Sequence, residues 1–464
     1  MRAIGLIASA ALLSACLARP DRRRAQECIP GTSARCGCAN GEEGAQICGS
    51  NGRYATCVCT GAVANPPSAD AGPASCVPGA SASCACTDGQ SGAQVCESDG
   101  TFAVCVCTAE GGAAGFDAGA FLVSTLAGNG TPGYSDGDGG PNGSAEFHSP
   151  NGVAVASTGI VYVADYGNHR VRQIDLLGNV TTLAGGAQGF ADGSGGADGS
   201  AQFNGPFGIA MAMDGSGSIY VADTGNNRIR KIDSNGVVTT VAGNGISGDI
   251  DGTGGPTGSA EFAAPCAVAV DTSGNLYVAD RANNRIRLID RDGNVTTFSG
   301  NGSLGSDDGT GGRDGSAQFA QPSGVAVDAA GNVYVADTAN VRIRKLDPHG
   351  NATTLAGNGQ NGYVDGTGGP VGSAEFGLVY SLAVDQHGNV YASDHDHNRV
   401  RLVNAAGDVT TLAGNGKQGF ADGTGGPEGA AEFYGPTGIA VDAAGRIYVA
   451  DNENSCIRLV TPVP

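Results

Sequence analysis

The residues with the clearest potential for chemistry are histidines flanked by carboxylates near the end of the chain. Residues 391–399 read YASDHDHNR and place His395 and His397 on either side of Asp396. Imidazole nitrogens bind zinc, and a neighbouring carboxylate orients an imidazole for proton transfer. His148 and His169 occur earlier in the same repetitive region. A zinc site is therefore one hypothesis, and histidines that bind no metal are the alternative.

Six glycine-rich loops each offer a carboxylate to a hard cation. They contain DGDGG, DGSGG or DGTGG and begin at Asp136, Asp192, Asp251, Asp308, Asp365 and Asp422. Calcium requires six to eight oxygen ligands, whereas each loop supplies one carboxylate, some carbonyls and a downstream Glu or Gln. Asp followed by Gly is equally typical of an Asx turn. We predict no cofactor, with calcium or zinc as the less favoured alternatives.

The amino-terminal quarter is rich in cysteine. Two copies of one module have identical cysteine gaps of 8, 2, 10, 9 and 2 residues. The cysteines are Cys28, Cys36, Cys38, Cys48, Cys57 and Cys59 in the first copy and Cys76, Cys84, Cys86, Cys96, Cys105 and Cys107 in the second. Such small modules lack a sufficient hydrophobic core, so we predict three disulfides in each, with their connectivity open. Metal binding by the C-x-C pairs is the less favoured alternative.

The first residues predict export. Arg2 precedes an apolar run, residues 3–13, that is too short to span a bilayer. The following Ser14-Ala15-Cys16 resembles the lipobox of bacterial lipoproteins. This resemblance implies lipidation of Cys16, and Leu17 is similar to an outer-membrane sorting signal. We expect an exported, lipid-anchored protein at the outer membrane or cell surface, and an ordinary secretory signal is the alternative.

Composition narrows the class of partner. The 464 residues include 25 Lys and Arg against 45 Asp and Glu, which gives a net charge of −20. Such a chain neutralises few phosphates, so we expect no nucleic-acid partner and membrane contact only through the N-terminal lipid. The expected ligand is a protein or a glycan. We divide the chain into a signal peptide (1–15), a tether (16–27), two cysteine modules (28–59 and 76–107), two linkers (60–75 and 108–120) and a repeat region (121–464).

The repeat region must position the histidines and the Asp-Gly loops. The sequence YVAD or a close variant ends at Asp165, Asp223, Asp280, Asp337, Asp394 and Asp451, at spacings of 58, 57, 57, 57 and 57 residues. Each period predicts four short strands joined by turns rich in Gly, Asn and Asp. In the second period these strands are 208–213, 219–223, 228–233 and 237–242. Four antiparallel strands repeated around an axis form the blades of a propeller.

The distribution of one strand predicts that the array closes into a ring. The sequence VTTLAG, or a near copy, follows five periods but is missing after the sixth, and it occurs instead at residues 123–128. If residues 122–127 pair as the outermost strand of the last blade, no sheet edge remains exposed. We therefore predict an all-β fold, a six-bladed β-propeller closed by its N-terminal strand. An open solenoid is the alternative.

The repeated motifs resemble a known family. The patterns P-x-G-V-A-V-D, N-x-Y-V-A-D-T-x-N-x-R-I-R-K-I-D and G-x-V-T-T-L-A-G-N-G are similar to NHL repeats, in the teneurin-type variety with a DGTGG loop. The resemblance covers residues 121–464 and implies a propeller. It also implies a binding platform in most members and a lyase, a lactonase-like hydrolase or a sensor in a minority. The fold therefore does not fix the function.

Residues present in every repeat are expected to be structural. A Phe before the first strand and a Tyr in the second are predicted to fill the space between blades, as Phe203 and Tyr220 do in the second repeat. Asp223, which ends strand two, and Arg228, which opens strand three, flank a four-residue turn, and a second arginine, Arg230, follows two places on. We expect an Asp–Arg ion pair that fixes this turn. A ligand-binding ring of arginines is the alternative.

Residues that differ between repeats are the functional candidates. In a propeller the strand 2–3 turns and the inter-blade loops share one rim, where we expect the departures to lie. The candidate binding rim comprises Tyr166, His169, Arg281, Tyr380, His395, Asp396, His397 and Glu453. The histidines belong to blades 1 and 5, which are not neighbours, and this separation disfavours a shared zinc ion.

These observations favour a binding or scaffold module over an enzyme, and no catalytic residue is assigned. Replacement of His395 and His397 by Ala is expected to leave the Tm nearly unchanged. Cys266 and Cys456 fall in opposite blades and are predicted to be free thiols.

Overall fold

The computed structural model describes residues 33–37, 43–47, 81–85, 91–95 and 121–463. The first four ranges form two antiparallel hairpins, Ser33–Gly37 with Glu43–Ile47 and Ser81–Ala85 with Ser91–Val95. Their registers are equivalent, since Ser33 is opposite Ile47 and Ser81 is opposite Val95. Of the cysteines predicted to form disulfides, only Cys36 and Cys84 fall in these strands, so no predicted disulfide has both of its cysteines among the described residues. The signal peptide with Cys16 and both linkers also lie outside the described residues. None of the described residues forms a helix that is long and apolar enough to cross a membrane.

Residues 121–463 form six antiparallel sheets, the blades. In blades 1 to 5 the four strands follow sequence order from the inside outwards, and in blade 6 the three innermost strands do. Blade 1 comprises Pro150–Val155, Val161–Asp165, Arg170–Ile174 and Val180–Gly185; blade 2, Pro206–Met211, Ile219–Asp223, Arg228–Ile232 and Val238–Ala242; blade 3, Pro265–Val270, Leu276–Asp280, Arg285–Ile289 and Val295–Ser299. Blade 4 comprises Gly324–Val327, Val333–Asp337, Arg342–Leu346 and Ala352–Ala356; blade 5, Val379–Val384, Val390–Asp394, Arg399–Val403 and Val409–Ala413; blade 6, Pro436–Val441, Ile447–Asp451 and Cys456–Pro462. Single 3₁₀ turns follow strand two of blades 1 to 4 at Tyr166–Asn168, Thr224–Asn226, Arg281–Asn283 and Thr338–Asn340.

The N-terminal strand completes the last blade. Phe121–Ala127 pairs antiparallel with Cys456–Pro462, with Leu122 opposite Thr461 and Ala127 opposite Ile457. The short strand Gly423–Thr424 pairs on its outer side. The first strands of successive blades contact one another around the whole ring. The prediction of a closed, all-β, six-bladed propeller is therefore confirmed.

The hydrophobic core lies between adjacent blades. The repeated phenylalanines are completely buried at Phe147, Phe203, Phe262, Phe319, Phe376 and Phe433. Phe203 packs with Val221 of its own blade and with Ala164 of blade 1, and Tyr162 packs against the same cluster. Burial of such a ring contributes about 1.5–3 kcal/mol, so this repeated layer is a main source of stability. The positions predicted from the repeat to fill the space between blades do so.

Candidate binding rim

Two kinds of loop meet at one end of every blade. In blade 1 the side-chain amide of Asn168, in the strand 2–3 turn, donates to the carbonyl oxygen of Gly133 in the preceding inter-blade loop at 2.6 Å. The backbone N–H of His148, in that loop, donates to the carboxylate of Asp165 at 2.8 Å. The turns and inter-blade loops therefore share one face, which we call the loop rim. His349 and His387 lie in turns at the opposite ends of the strands.

The second arginine of strand three is completely buried in all six blades. These residues are Arg172, Arg230, Arg287, Arg344, Arg401 and Arg458. In blade 2 the guanidinium of Arg230 forms ion pairs with the buried Asp223 and with Asp192 of the inter-blade loop, both at 2.7 Å. It also donates to the carbonyl oxygens of Gln202 and Ala191. One guanidinium thus fixes the turn and the loop to the blade.

The arginine of the predicted Asp–Arg pair is therefore the second one of strand three and not the first. Arg228 donates instead to the carbonyl oxygens of Gly243 and Asn244. The side chain of Arg230 has no exposed surface to offer a ligand. A buried charge that loses its partner is strongly destabilising, so this network makes the loop rim rigid.

The same network includes the loop aspartates that the sequence analysis considered as calcium ligands. Asp192 accepts hydrogen bonds from Arg230 and from the backbone N–H and hydroxyl of Thr240, the last two at 3.1 and 3.0 Å. The other five loop aspartates likewise accept from an arginine and a threonine. Across the described ranges, no group of three or more His, Cys, Asp and Glu side chains is arranged to hold a metal ion. The Asp-Gly loops are thus explained as anchors.

The candidates of blade 1 reach towards the next blade. Tyr166 packs edge-on against Phe207 of blade 2, with ring centroids 5.9 Å apart. Nδ1 of His169 accepts a hydrogen bond from the backbone N–H of Gly205 at 3.0 Å. Burial lowers the pKa of His169. This imidazole therefore serves as a hydrogen-bond acceptor between blades.

The candidates of blades 5 and 6 form a cluster on the loop rim. Tyr380 and His395 pack edge-to-face with ring centroids 4.9 Å apart, and Nδ1 of His395 lies 3.0 Å from a carboxylate oxygen of Asp396. Both His395 and Glu453 lie against the backbone of Gly435. The structure therefore brings together four candidates that the sequence placed in two different repeats.

His397 holds a position that is asparagine in the other five blades. Its Nδ1 lies 3.1 Å from a carboxylate oxygen of Asp394, which is completely buried. Its ring lies 5.4 Å from the ring of Tyr363, which is exposed. A buried carboxylate therefore orients this imidazole at the surface.

Most of the exposed aromatic residues of the loop rim were missed by sequence reasoning. Six come from the consecutive blades 5, 6, 1 and 2, and we call them the aromatic arc: Tyr363, Phe420, Tyr434, Tyr134, Tyr166 and Phe190. Only Tyr166 was a sequence-based candidate. A signal was present, because the residue two before the loop aspartate is Tyr or Phe in four loops but Asp249 or Ser306 in the loops of blades 3 and 4.

Guanidinium groups hold several of these rings in place. The guanidinium carbon lies 3.9–5.0 Å from the ring centroid in the pairs Arg170–Tyr134, Arg228–Phe190 and Arg399–Tyr363. Such contacts fix a ring without burying it. Tyr134, Phe190 and Tyr363 remain 64%, 42% and 56% exposed. The aromatic arc is therefore ordered on one side and open to solvent on the other.

The first strand of each blade, which lies nearest the axis, carries no side chain that is typical of acid–base catalysis or metal binding at neutral pH, apart from Cys266. The six first strands read PNGVAV, PFGIAM, PCAVAV, GVAV, VYSLAV and PTGIAV, and they contain no His, Asp, Glu, Lys or Arg. A Cβ atom on Gly438 would overlap the carbonyl oxygen of Asn151 in blade 1, so neighbouring first strands approach closely. These strands thus supply neither a carboxylate nor an imidazole to an axial metal.

Comparison with known proteins agrees with this architecture. The model for the NHL repeat matches residues 147–174, 262–287, 319–346 and 433–458. These segments run from the buried Phe to strand three in blades 1, 3, 4 and 6. Each contains the buried ion pair between the Asp of strand two and the second Arg of strand three, but not the loop aspartate.

Three relatives match more than half of this chain. The chain is 35% identical over 288 residues to protein SUPPRESSOR OF QUENCHING 1 of Arabidopsis thaliana, 29% over 293 residues to NHL repeat-containing protein 2 of Gallus gallus, and 27% over 291 residues to teneurin-4 of Mus musculus. The matches cover 59%, 56% and 53% of this chain. They span only 26%, 39% and 10% of the relatives' own lengths.

Two solved structures from Bacteroides thetaiotaomicron are similar in fold. One is a protein of unknown function, which is 20% identical with a TM-score of 0.54, and the match covers 92% of this chain and 90% of that one. The other is an auxiliary nutrient binding protein, which is 16% identical with a TM-score of 0.54, covering 80% and 82%. The chain therefore carries NHL repeats in blades 1, 3, 4 and 6, and residues 121–463 fold into a six-bladed β-propeller.

Proposed function

We propose that the protein is a binding module of the cell envelope whose loop rim holds a glycan. The aromatic arc is the observation that carries this proposal. Sugar rings present C–H groups that pack on the electron-rich faces of aromatic side chains. The rings of the arc come from four Gly- and Asp-rich inter-blade loops and one strand 2–3 turn. The carbonyl and carboxylate oxygens of these loops would accept hydrogen bonds from sugar hydroxyls.

The arrangement of the arc favours a glycan over a protein ligand. Protein interfaces have a contiguous apolar centre surrounded by a polar rim. In the arc, Tyr134 and Phe190 come from different inter-blade loops and each ring lies against its own arginine. Rings that are fixed before binding lose little conformational entropy when a ligand stacks on them. No observation favours the metal-dependent lyase or hydrolase, because the first strands lack the ligands that such a site needs.

The glycan proposal is tested by native affinity electrophoresis of the full chain in gels that contain dextran, xylan or a soluble β-glucan. We expect at least one polysaccharide to retard the wild type and to have little effect on the double variant Tyr134→Ala/Tyr363→Ala. The matched control is Ile246→Ala, which removes an apolar side chain that is 61% exposed on the same rim but outside the arc. Equal retardation of wild type and double variant, or no retardation by any polysaccharide, would contradict the proposal.

Anchoring is a separate part of the proposal. It rests on Ser14-Ala15-Cys16, and the cysteine modules would then act as a stalk between the lipid and the propeller. We expect the wild type to sediment with membranes and Cys16→Ala to remain in the soluble fraction after high-speed centrifugation. A wild-type protein that is already soluble would refute the anchor and leave the glycan test unaffected.

A further inference from the structure

A cleft of about 400 Å³ opens on the loop rim where blade 3 meets blade 4, outside the aromatic arc. Its lining consists of Ala264, Arg281, Ala282, Asn284, Leu304 and Gln321. One guanidinium, two amides and one leucine thus surround the space, and the lining contains no carboxylate. The only charged side chain in this lining is therefore a cation, whereas the chain as a whole has a net charge of −20.

The guanidinium in this cleft lacks an anionic partner. Arg281 directly follows the buried aspartate of strand two, a position where blades 2 and 4 have Thr224 and Thr338. Each of those threonines donates to a backbone carbonyl of the next blade at 2.7 Å. Arg281 instead lies 3.3 Å from the side-chain oxygen of Gln321 and, among residues 121–463, forms no ion pair with a carboxylate. Most of its donors are therefore available to a ligand.

A buried thiol outside the lining of the cleft lies beside the arginine. Arg281 lies near the buried thiol of Cys266, and its charge opposes burial, which raises the pKa of that thiol to about 11. The thiol therefore stays protonated and does not neutralise the guanidinium. Ala264 and Ala282 leave space above it because their side chains are small.

The apolar wall is also specific to this junction. Leu304 is 69% exposed. The corresponding residues of the other inter-blade loops are Pro132, Gln188, Ser247, Asn361 and Gln418. Two departures from the repeat, one in the turn of blade 3 and one in the following loop, thus meet in a single cleft.

We propose that this cleft binds a small organic carboxylate that carries a short apolar group. The carboxylate accepts hydrogen bonds from Arg281, whose planar guanidinium matches a carboxylate with two parallel N–H···O bonds, and from the amide of Gln321. The apolar group packs against Leu304. The net charge of −20 disfavours non-specific binding of anions, so a bound carboxylate must find a local cation. The site shares no residue with the aromatic arc and is independent of the glycan proposal.

The test is a ligand-observed NMR titration of the full chain with butyrate and with butyramide, its neutral counterpart. We expect butyrate to bind at least about tenfold more tightly than butyramide, because the carboxylate of butyrate forms an ion-paired hydrogen bond with Arg281 and the neutral amide does not. Arg281→Thr, which installs the residue of blades 2 and 4, should weaken butyrate binding about tenfold. Leu304→Ser should reduce the preference for butyrate over acetate.

The matched control is Lys417→Thr, which removes an exposed cation from another inter-blade loop of the same rim and should leave butyrate binding unchanged. A thermal melt establishes that Arg281→Thr is folded, and Arg281→Lys provides a second variant that retains the charge but loses the planar fork. Equal binding of butyrate and butyramide, or butyrate binding by Arg281→Thr at wild-type strength, would overturn the proposal.

Discussion

His397 stands where the other blades place an asparagine that satisfies two groups at once. In blade 2, Asn226 donates both to the carboxylate of Asp223 and to the carbonyl oxygen of Gly189. In blade 5, the imidazole of His397 contacts Asp394 through Nδ1. The ion pair between Arg401 and Asp394 is 3.0 Å long. A residue that sequence analysis regarded only as functional therefore also supports a buried carboxylate.

At this scale we predict that His397→Ala lowers the free energy of unfolding by about 1 kcal/mol, because Asp394 loses a hydrogen-bond partner while it remains buried. His397→Asn should recover the loss, since it restores the side chain of the other blades. The measurement is urea unfolding at pH 7.5. His395→Ala is the control, because the imidazole of His395 bonds to Asp396 on the surface.

This prediction revises the sequence-based expectation for the two histidines. An unchanged Tm is still expected for His395→Ala but not for His397→Ala. If His397→Asn proves less stable than His397→Ala, the assignment of this position to the repeated network is wrong.

At the scale of the element, the strand 3–4 turns of blades 1 to 4 are stabilised by an aspartate side chain. In blade 4 the carboxylate of Asp347 accepts hydrogen bonds from the backbone N–H groups of His349 and Asn351 and from the side-chain amide of Asn351. These bonds, with the amide of Asn351 as the largest cause, lower the pKa of Asp347. Blade 5 builds the same turn with Asn404, whose side-chain oxygen accepts two backbone N–H groups.

Asp347→Asn should therefore preserve the turn but remove the carboxyl group that titrates. Because the pKa of Asp347 is lower in the folded state than in the unfolded chain, its carboxylate stabilises the fold above the unfolded value of about 4. That stabilisation is lost as the pH falls through the folded pKa. We expect the variant to have a lower Tm than the wild type at pH 7, and the difference to shrink at pH 3.

The control for this titration is Asp198→Asn, since Asp198 is exposed and makes no hydrogen bond within residues 121–463. Its effect on the Tm should not show the same dependence on pH. A Tm difference for Asp347→Asn that is as large at pH 3 as at pH 7 would rule out the carboxylate as its source.

At the scale of the whole molecule, the ring is held closed by strand pairing between the two ends of the repeat region. The pairing of Phe121–Ala127 with Cys456–Pro462 is reinforced by Thr125, whose N–H and hydroxyl donate to the carboxylate of Asp422. The latter also accepts from Arg458, so the seam uses the same network as every other blade. The closing strand is thus equivalent in its contacts to the outermost strands of the other blades.

Removal of residues 1–127 should lower the Tm and promote aggregation, because the strand Cys456–Pro462 then presents an unpaired edge. Removal of residues 1–120 is the matched control, since it keeps the closing strand and should preserve the Tm of the propeller. Differential scanning fluorimetry and size-exclusion chromatography measure both effects. Equal Tm values for the two truncations would show that closure contributes little to stability.

The repeat made much of the fold predictable because its information is local. In blade 2 the observed strand Ile219–Asp223 coincides with the predicted one, and the first strand starts two residues earlier than predicted, at Pro206. Pro206 pairs with Asp223, and the strand register shifts between Pro206 and Ile209. This shift obscures the alternation of inward and outward side chains at the start of the strand. Closure was predictable for a different reason. In an open array the copy of VTTLAG at residues 123–128 and the third strand of the last blade would both lack a partner, and closing the ring pairs them with each other.

The site depended on contacts that local sequence does not encode. Arg228 and Arg230 lie on one face of a strand, so the sequence alone could not decide which of them pairs with Asp223. In the tertiary structure Arg230 pairs with Asp223, because the inter-blade loop also places the carboxylate of Asp192 2.7 Å from the guanidinium of Arg230. The aromatic arc and the cleft beside Arg281 arise in the same way, from loops distant in sequence that packing places side by side. The sequence by itself therefore determined the strands, their number and the closed ring, whereas only the tertiary structure decided which charged groups are buried in pairs and which remain free at the surface.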